Sequence, residues 1–188
     1  MGGSIAAQVQ NLIVGEVPDV EVKTEMKEIV SVVSKLINRS KILAYHDRSD
    51  GGLITCLIEM AFAGRLGLYI DLKEICGSRK KINEVLFSEE LGFVIQVLKK
   101  DSLMVMDSLS KVGMKGHIYN LGRVTQHKDL CLAINNKVIA EWNQDDLLKE
   151  WHKVSFYMQQ IRDNPVTAEA EYQSDINANK YPLSPKIN

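Results

Sequence analysis

The octapeptide Tyr45-His46-Asp47-Arg48-Ser49-Asp50-Gly51-Gly52 constrains this chain more than any other stretch. A short apolar run, Ile42-Leu43-Ala44, leads into it, and a helical pattern from Leu53 to Ala63 leads out. Strand, polar turn, Gly-Gly, helix is an order that presents charged side chains at a helix N-terminus. The free N–H groups and the positive end of the dipole there favour an anion such as phosphate. Asp47 suits a hard cation, since Mg2+ takes a carboxylate together with phosphate oxygens. The plainer alternative is that Ser49 or Asp50 caps the helix while the glycines permit a tight turn. The residues alone leave both readings open.

With 188 residues the chain is long enough for one domain with a good core and a tail. A formal charge of -1 and 6% aromatic residues argue against nucleic acid or an acidic membrane surface as partner. No apolar run reaches the ~20 residues that a membrane helix needs. The start, Met-Gly-Gly-Ser, does not read as a signal peptide, which has a basic stretch followed by an apolar one. Cys56, Cys76 and Cys131 are odd in number and widely spaced, which fits reduced cytoplasmic thiols rather than a disulfide framework or a zinc site. Cys56 falls inside a helical pattern and reads as a small core residue.

In chain order, Ser4–Val14 reads as a short helix or irregular lead-in, and residues 15–19 as a loop. Met26, Ile29, Val30, Val33, Leu36 and Ile37 have helical spacing over Val22–Ile37. Leu43–His46 reads as a strand, and Leu53, Leu57, Ile58 and Ala61 give the next helix a buried stripe. Gly67–Leu72 alternates like a strand. Cys76–Lys81 reads as a loop whose run Arg79-Lys80-Lys81 is a solvated surface. Ile82–Phe87 is a short helix. Phe93–Leu98 is expected to be a central strand, being apolar on both faces. Ser102–Val112 is a helix with Leu103, Met106 and Leu109 on its core side, followed by a turn at Gly113–Gly116. Ile118–Thr125, Leu130–Ile134 and Lys137–Glu141 are strands, the last two joined by an Asn135-Asn136 turn. Asp145–Arg162 is the long late helix, with Leu147, Leu148, Trp151, Val154, Phe156, Met158 and Ile161 as its apolar set. It stops at Asn164-Pro165. The alternation of helices and strands argues an α/β sandwich with a mixed sheet.

The stretch from Tyr45 to Gly64, YHDRSDGGLITCLIEMAFAG, resembles a signature of the formylglycinamide ribonucleotide amidotransferases, also called phosphoribosylformylglycinamidine synthases. Gly2-Gly3-Ser4 with Ala7-Gln8-Val9 resembles the opening of the same domain. Glu89-Glu90-Leu91-Gly92 with Val94-Ile95-Gln96-Val97 resembles its EELG segment, and Trp151, Met158-Gln159 and Arg162-Asp163-Asn164-Pro165 resemble its last helix. Order and approximate spacing fit throughout, and the resemblance covers Gly2 to Pro165.

The resemblance implies the layered fold of the aminoimidazole ribonucleotide synthetase C-terminal domain, with a domain over residues 1–165. Residues 166–188 would be a polar tail leading to a glutaminase domain. It implies a fragment of a ligase that converts formylglycinamide ribonucleotide, ATP and glutamine to the amidine in de novo purine synthesis. The fragment would be the last subdomain of the second synthetase half. Asp47 matches a position that binds Mg2+, and Ser49 a position that contacts ATP or ADP, both in an auxiliary nucleotide site. No catalytic residue carries over, and no Gly-x-Cys-x-Gly elbow surrounds any of the three cysteines. The chain is therefore expected to fold but to be inactive alone, its partners being the other synthetase subdomains and the glutaminase, in the cytoplasm. The alternative is a structural module that forms a homodimer through a sheet face. A selenophosphate- or thiamine-phosphate-type kinase of the same superfamily fits the motifs less well. His46 reads as a hydrogen-bonding residue more readily than a base. The roles of Arg48, Glu89 and Glu90 stay open.

Overall fold

The computed structural model describes residues 2–12, 15–19, 23–77 and 82–177. The chain divides into two units. One comprises Met1–Met60 and Leu72–Leu121, the other Ala61–Asp71 and Gly122–Asn188. The α/β class and the mixed sheet expected from the sequence are both present.

The first unit contains helices α1 (Ile5–Val9), α2 (Lys23–Asn38), most of α3 (Gly52–Gly64), α4 (Lys73–Cys76), α5 (Ile82–Phe87) and α6 (Ser102–Leu109). Its strands are β1 (Ala44–Asp47) and β3 (Phe93–Gln96), paired antiparallel with Tyr45 opposite Ile95 and Asp47 opposite Phe93. Val33 and Leu36 of α2 pack on Val105 and Leu109 of α6, with Phe93 and Ile95 against that cluster. Burying each such side chain contributes roughly 1.5–3 kcal/mol. In α3, Leu53, Ile54, Cys56 and Leu57 are all buried, so Cys56 is a core residue as expected.

Three expectations are corrected here. Strand β3 is not central: it belongs to a two-stranded sheet and all four of its residues are half-buried. An apolar run on both faces signals cover on both sides, and packing on the α2–α6 cluster meets one of them without further strands. The core side of α6 is Val105 and Leu109, while Leu103 is 81% exposed. Several apolar phases were open to this helix, and contact with α2 selects one. In α2 likewise Met26, Val30 and Ile37 are exposed. The segment 118–121 is not strand, and the Asn120 N–H donates to the Glu74 carboxylate at 2.9 Å instead of to a ladder. Arg79-Lys80-Lys81 and residues 13–14 lie outside the described residues.

The second unit holds a four-stranded sheet in the order β4 (Gly122–Thr125), β2 (Gly67–Asp71), β5 (Asp129–Ile134), β6 (Lys137–Asn143). Strands β2 and β5 run parallel and the other neighbours antiparallel. Leu68, Ile70, Leu130, Leu132 and Ala133 are its buried apolar residues. The β5–β6 turn is Asn135-Asn136, both in the left-handed region at φ 52° and 64°. Asp71, on the polar side of the β2 alternation, is buried because its carboxylate accepts the N–H groups of Asn135 and Asn136 at 3.1 and 2.8 Å. The buried Gln144 donates from Nε2 to the carbonyls of Ala61 and Leu66.

Helix α7 (Gln144–Arg162) ends where expected, but its apolar set is not one buried stripe. Leu148 and Phe156 are buried, and Trp151, Val154, Met158 and Ile161 are exposed. Where a polar tail is expected from Val166, residues Pro165–Asn177 form helix α8. The Asn164 Oδ1 accepts the N–H groups of Val166 and Thr167 at 2.9 and 3.4 Å, and Pro165 occupies the first helical position. Asn-Pro is a helix start as well as a helix stop. The Tyr172 ring then stacks on Phe156 at 4.3 Å. Residues 178–188 lie outside the described residues. Among the described residues no helix is long and apolar enough to cross a membrane.

Candidate functional site

The turn between β1 and α3 is held as a piece of backbone. The Arg48 N–H donates to the Gly92 carbonyl at 2.9 Å and the Gly52 N–H to the Ser49 carbonyl at 3.0 Å. Gly51 and Gly52 both adopt left-handed φ, 81° and 75°. A Cβ on Gly52 would lie 2.6 Å from the Leu86 carbonyl oxygen and 2.9 Å from the Phe87 Cα, so the turn backbone abuts the end of α5. On Gly51 a Cβ would meet the Thr55 hydroxyl. Glycine is required at both places on conformational and steric grounds together.

Side chains complete the clamp. The Arg48 guanidinium donates through Nε to the Ser88 carbonyl at 2.9 Å and through Nη2 to the carbonyls of Ser88 and Val85 at 2.5 and 3.2 Å. It thus satisfies carbonyls at the C-terminal end of α5, where a cation also suits the dipole. It pairs with neither Asp50 nor Glu59. Burial lowers its pKa from the ordinary arginine value, and the charge of Glu90 acts against that. From the other side, Glu89 Oε1 accepts the Gly51 N–H and the Ile5 N–H, each at 2.9 Å. The amides of Gly51 and Gly52 are therefore taken by Glu89 and by a backbone carbonyl, not by a Ser49 or Asp50 side chain.

Asp47, Ser49 and Asp50 are exposed on the outer side of this turn. Tyr45 Oη donates to Asp47 Oδ1 at 2.5 Å, since residues two apart on a strand share a face. Burial and the Asp47 contact together push the Tyr45 hydroxyl up to about 12. His46 has Nδ1 at 2.7 Å from the Asp47 carbonyl oxygen and Nε2 at 2.8 Å from Glu59 Oε2. With both ring nitrogens engaged it serves as a hydrogen-bonding link from β1 to α3. Cys56, whose Sγ lies 3.7 Å from the His46 carbonyl oxygen, has its thiol raised by burial to about 11. Burial, with Glu141 second, raises Cys131 to about 11.

Among the described residues no three His, Cys, Asp or Glu side chains come together to hold a metal ion. Asp47 and Ser49 nonetheless fit one side of a magnesium nucleotide. Both offer hard oxygen, and Mg2+ characteristically uses one or two carboxylates with phosphate oxygens and water rather than an all-protein cage. An open groove of about 400 Å3 along α2, lined by Lys27, Ser31, Val32, Lys35 and Val112 among others, includes no residue of the turn. Tyr45 and Glu89 are the site's members to which the sequence assigned no role, although both stand in its motifs. Their partners reveal them, and only the i, i+2 spacing of Tyr45 and Asp47 was readable beforehand.

The sequence pattern of AIR synthase related protein, C-terminal domain, matches residues 1–134. Phosphoribosylformylglycinamidine synthase of Schizosaccharomyces pombe is 36% identical over 176 residues, covering 93% of this chain and 13% of that protein. The chain thus spans a small part of the length of that relative. PurLQS from Thermotoga maritima has a TM-score of 0.54 at 15% identity, over 76% of this chain and 24% of that one. T. maritima PurL complexed with ATP has a TM-score of 0.52 at 14% identity, over 63% of this chain and 20% of that one. At such identities the likeness to solved structures is one of fold. The extent of the pattern match, 134 of 188 residues, shows that the chain belongs to the AIR synthase related proteins and carries their C-terminal domain.

Proposed function

We propose that this chain is a portion of an ATP- and glutamine-dependent ligase that converts formylglycinamide ribonucleotide to formylglycinamidine ribonucleotide. On this reading it contributes Asp47 and Ser49 to an auxiliary magnesium-nucleotide site. The observation that carries the reading is the turn itself: backbone clamped on one side, two oxygen-bearing side chains exposed on the other. When bound, the cation supplies charge neutralisation for the phosphates. Asp47 would enter its coordination sphere, and Ser49 would donate its hydroxyl to a phosphate oxygen. The rest of the ligands would come from other synthetase subdomains of the longer polypeptide. No residue of this chain is assigned to bond making, so the chain alone is expected to be inactive. Residues 166–188 would lead toward a glutaminase domain, and the enzyme would work in the cytoplasm.

Support comes from the 36% identity to the yeast synthase over nearly all of this chain, and from the fold shared with T. maritima PurL, which binds ATP and, in other structures, ADP and FGAR. The test is calorimetry with Mg-ADP on the chain, alone and with the missing synthetase portion supplied in trans, beside Asp47→Ala. Loss of binding in the variant is the expected result. Equal affinity of variant and parent in the complete assembly would remove Asp47 from the site.

A second reading, a structural or dimerising module, is favoured by one observation. The exposed residues Trp151, Val154, Met158 and Ile161 of α7 follow the 3-4-3 spacing of a helix-pairing seam. Sedimentation equilibrium of the chain and of Val154→Lys decides it: a monomer at all concentrations rejects the self-paired form.

A further inference from the structure

We infer that Glu89 is a positioning residue, holding the Asp47–Gly51 turn and the start of α1 in one arrangement on which the turn's competence toward a nucleotide depends. The inference rests on the reading of Asp47 and Ser49 given above. One carboxylate oxygen, Oε1, accepts two N–H groups that lie 84 and 38 positions away in the chain. Bonds of this kind, with an ionised acceptor, are stronger than neutral ones. Three separate segments, the Gly2-Gly3-Ser4 lead-in to α1, the turn and the residues after α5, therefore meet at a single side chain.

The Gly51 amide stands at the start of α3, where an incoming phosphate would otherwise find a donor. Glu89 already holds it. Recognition at this turn consequently falls to the outward groups, Asp47 and Ser49, and Glu89 governs where they stand by fixing the peptide that precedes Gly52. The neighbouring acid behaves differently. Glu90 is exposed and acts on Arg48 by its charge, so the vicinal pair divides into an inner brace and an outer counter-charge.

The experiment compares Glu89→Ala and Glu89→Gln with the parent chain by amide hydrogen exchange. Mg-ADP affinity is measured on the same variants with the synthetase portion supplied. In Glu89→Ala the Ile5 and Gly51 amides should exchange faster together, by about tenfold or more, and Mg-ADP should bind about tenfold more weakly. Glu89→Gln keeps an oxygen that accepts both N–H groups, and should restore exchange and affinity to within about threefold of the parent. Parent-like exchange at either amide in Glu89→Ala overturns the inference. So does failure of Gln to recover what Ala loses, or unchanged Mg-ADP affinity in Glu89→Ala when Asp47→Ala abolishes it. If Asp47→Ala binds normally, the nucleotide reading fails on its own, and exchange at Ile5 and Gly51 alone decides whether Glu89 braces the turn.

Discussion

Replacing Gly52 with alanine tests the geometry of the turn most directly. Gly52 has φ 75°, and an alanine held there costs about 1 kcal/mol or somewhat more from the left-handed backbone alone. The new Cβ would also lie 2.6 Å from the Leu86 carbonyl oxygen and 2.8 and 2.9 Å from the Phe87 carbonyl carbon and Cα. These are backbone atoms, which cannot rotate away as a side chain would. Forcing α5 to shift adds about 1–3 kcal/mol, the usual penalty of overpacking. The sum, about 2–4 kcal/mol, is a large share of the 5–15 kcal/mol that typically holds a domain. Gly116→Ala is the internal control. It too has a left-handed φ, 88°, but a Cβ there has nothing within 4 Å, so only the backbone cost of about 1 kcal/mol applies. Urea unfolding followed by far-ultraviolet circular dichroism reads both. With a urea slope of about 2 kcal/mol/M, the Gly52 variant should unfold roughly 1 M earlier than the Gly116 variant. Equal midpoints would mean that the turn does not abut α5, and the clamp described above would lose its steric basis.

Tyr45 is raised to about 12 in the folded chain against an ordinary value of 10.0, so the folded state keeps a proton that the unfolded state gives up. Its stabilisation is complete below pH ~10 and is lost as pH rises through about 12; Tyr45→Phe should remove that phase from the pH dependence of unfolding and one late-titrating phenol from the ultraviolet titration. Cys56 is buried and raised to about 11, so at pH 8 it should resist alkylation until the chain unfolds, as mass spectrometry of labelled peptides would show. Asn164→Ala removes the acceptor for the first amides of α8 and should cost that helix about 1 kcal/mol, seen as faster exchange at Val166 and Thr167 while α7 keeps its protection.

Local chemistry was legible in the sequence where a residue's partner lies within a few positions. The Asn135-Asn136 turn, the boundaries of Ile82–Phe87 and the core character of Cys56 all follow from spacing or from backbone preference. Position within the unit was not. Leu103 and Leu109 belong to one helical stripe, yet one is exposed and the other buried, because α2 meets α6 along Val105 and Leu109. The polar composition after Val166 conceals α8, whose cap lies in the same Asn-Pro that ends α7. Asp71 shows the same limit: alternation assigns it to solvent, and a turn 64 positions away buries it.

The turn illustrates why the chemistry of a motif and its architecture are read from different sources. HDRSDGG announces charged groups before a helix, but it does not say which of them face inward. In the fold, Arg48 turns to the carbonyls of Val85 and Ser88, and His46 to Glu59 and a backbone oxygen. The amide of Gly51 is given to Glu89. Apart from the His46–Glu59 pair these contacts fix backbone, and what remains outward is Asp47, Ser49 and Asp50. A single exposed carboxylate that accepts a tyrosine hydroxyl is a weak cation site in water, because Mg2+ parts reluctantly with its own hydration. The same carboxylate, held rigidly beside phosphate oxygens and ligands from elsewhere, needs little reorganisation to bind. The arrangement therefore suits one wall of a composite site, and the affinity of the complete assembly for Mg-ADP should exceed that of this chain by far more than Asp47 alone contributes.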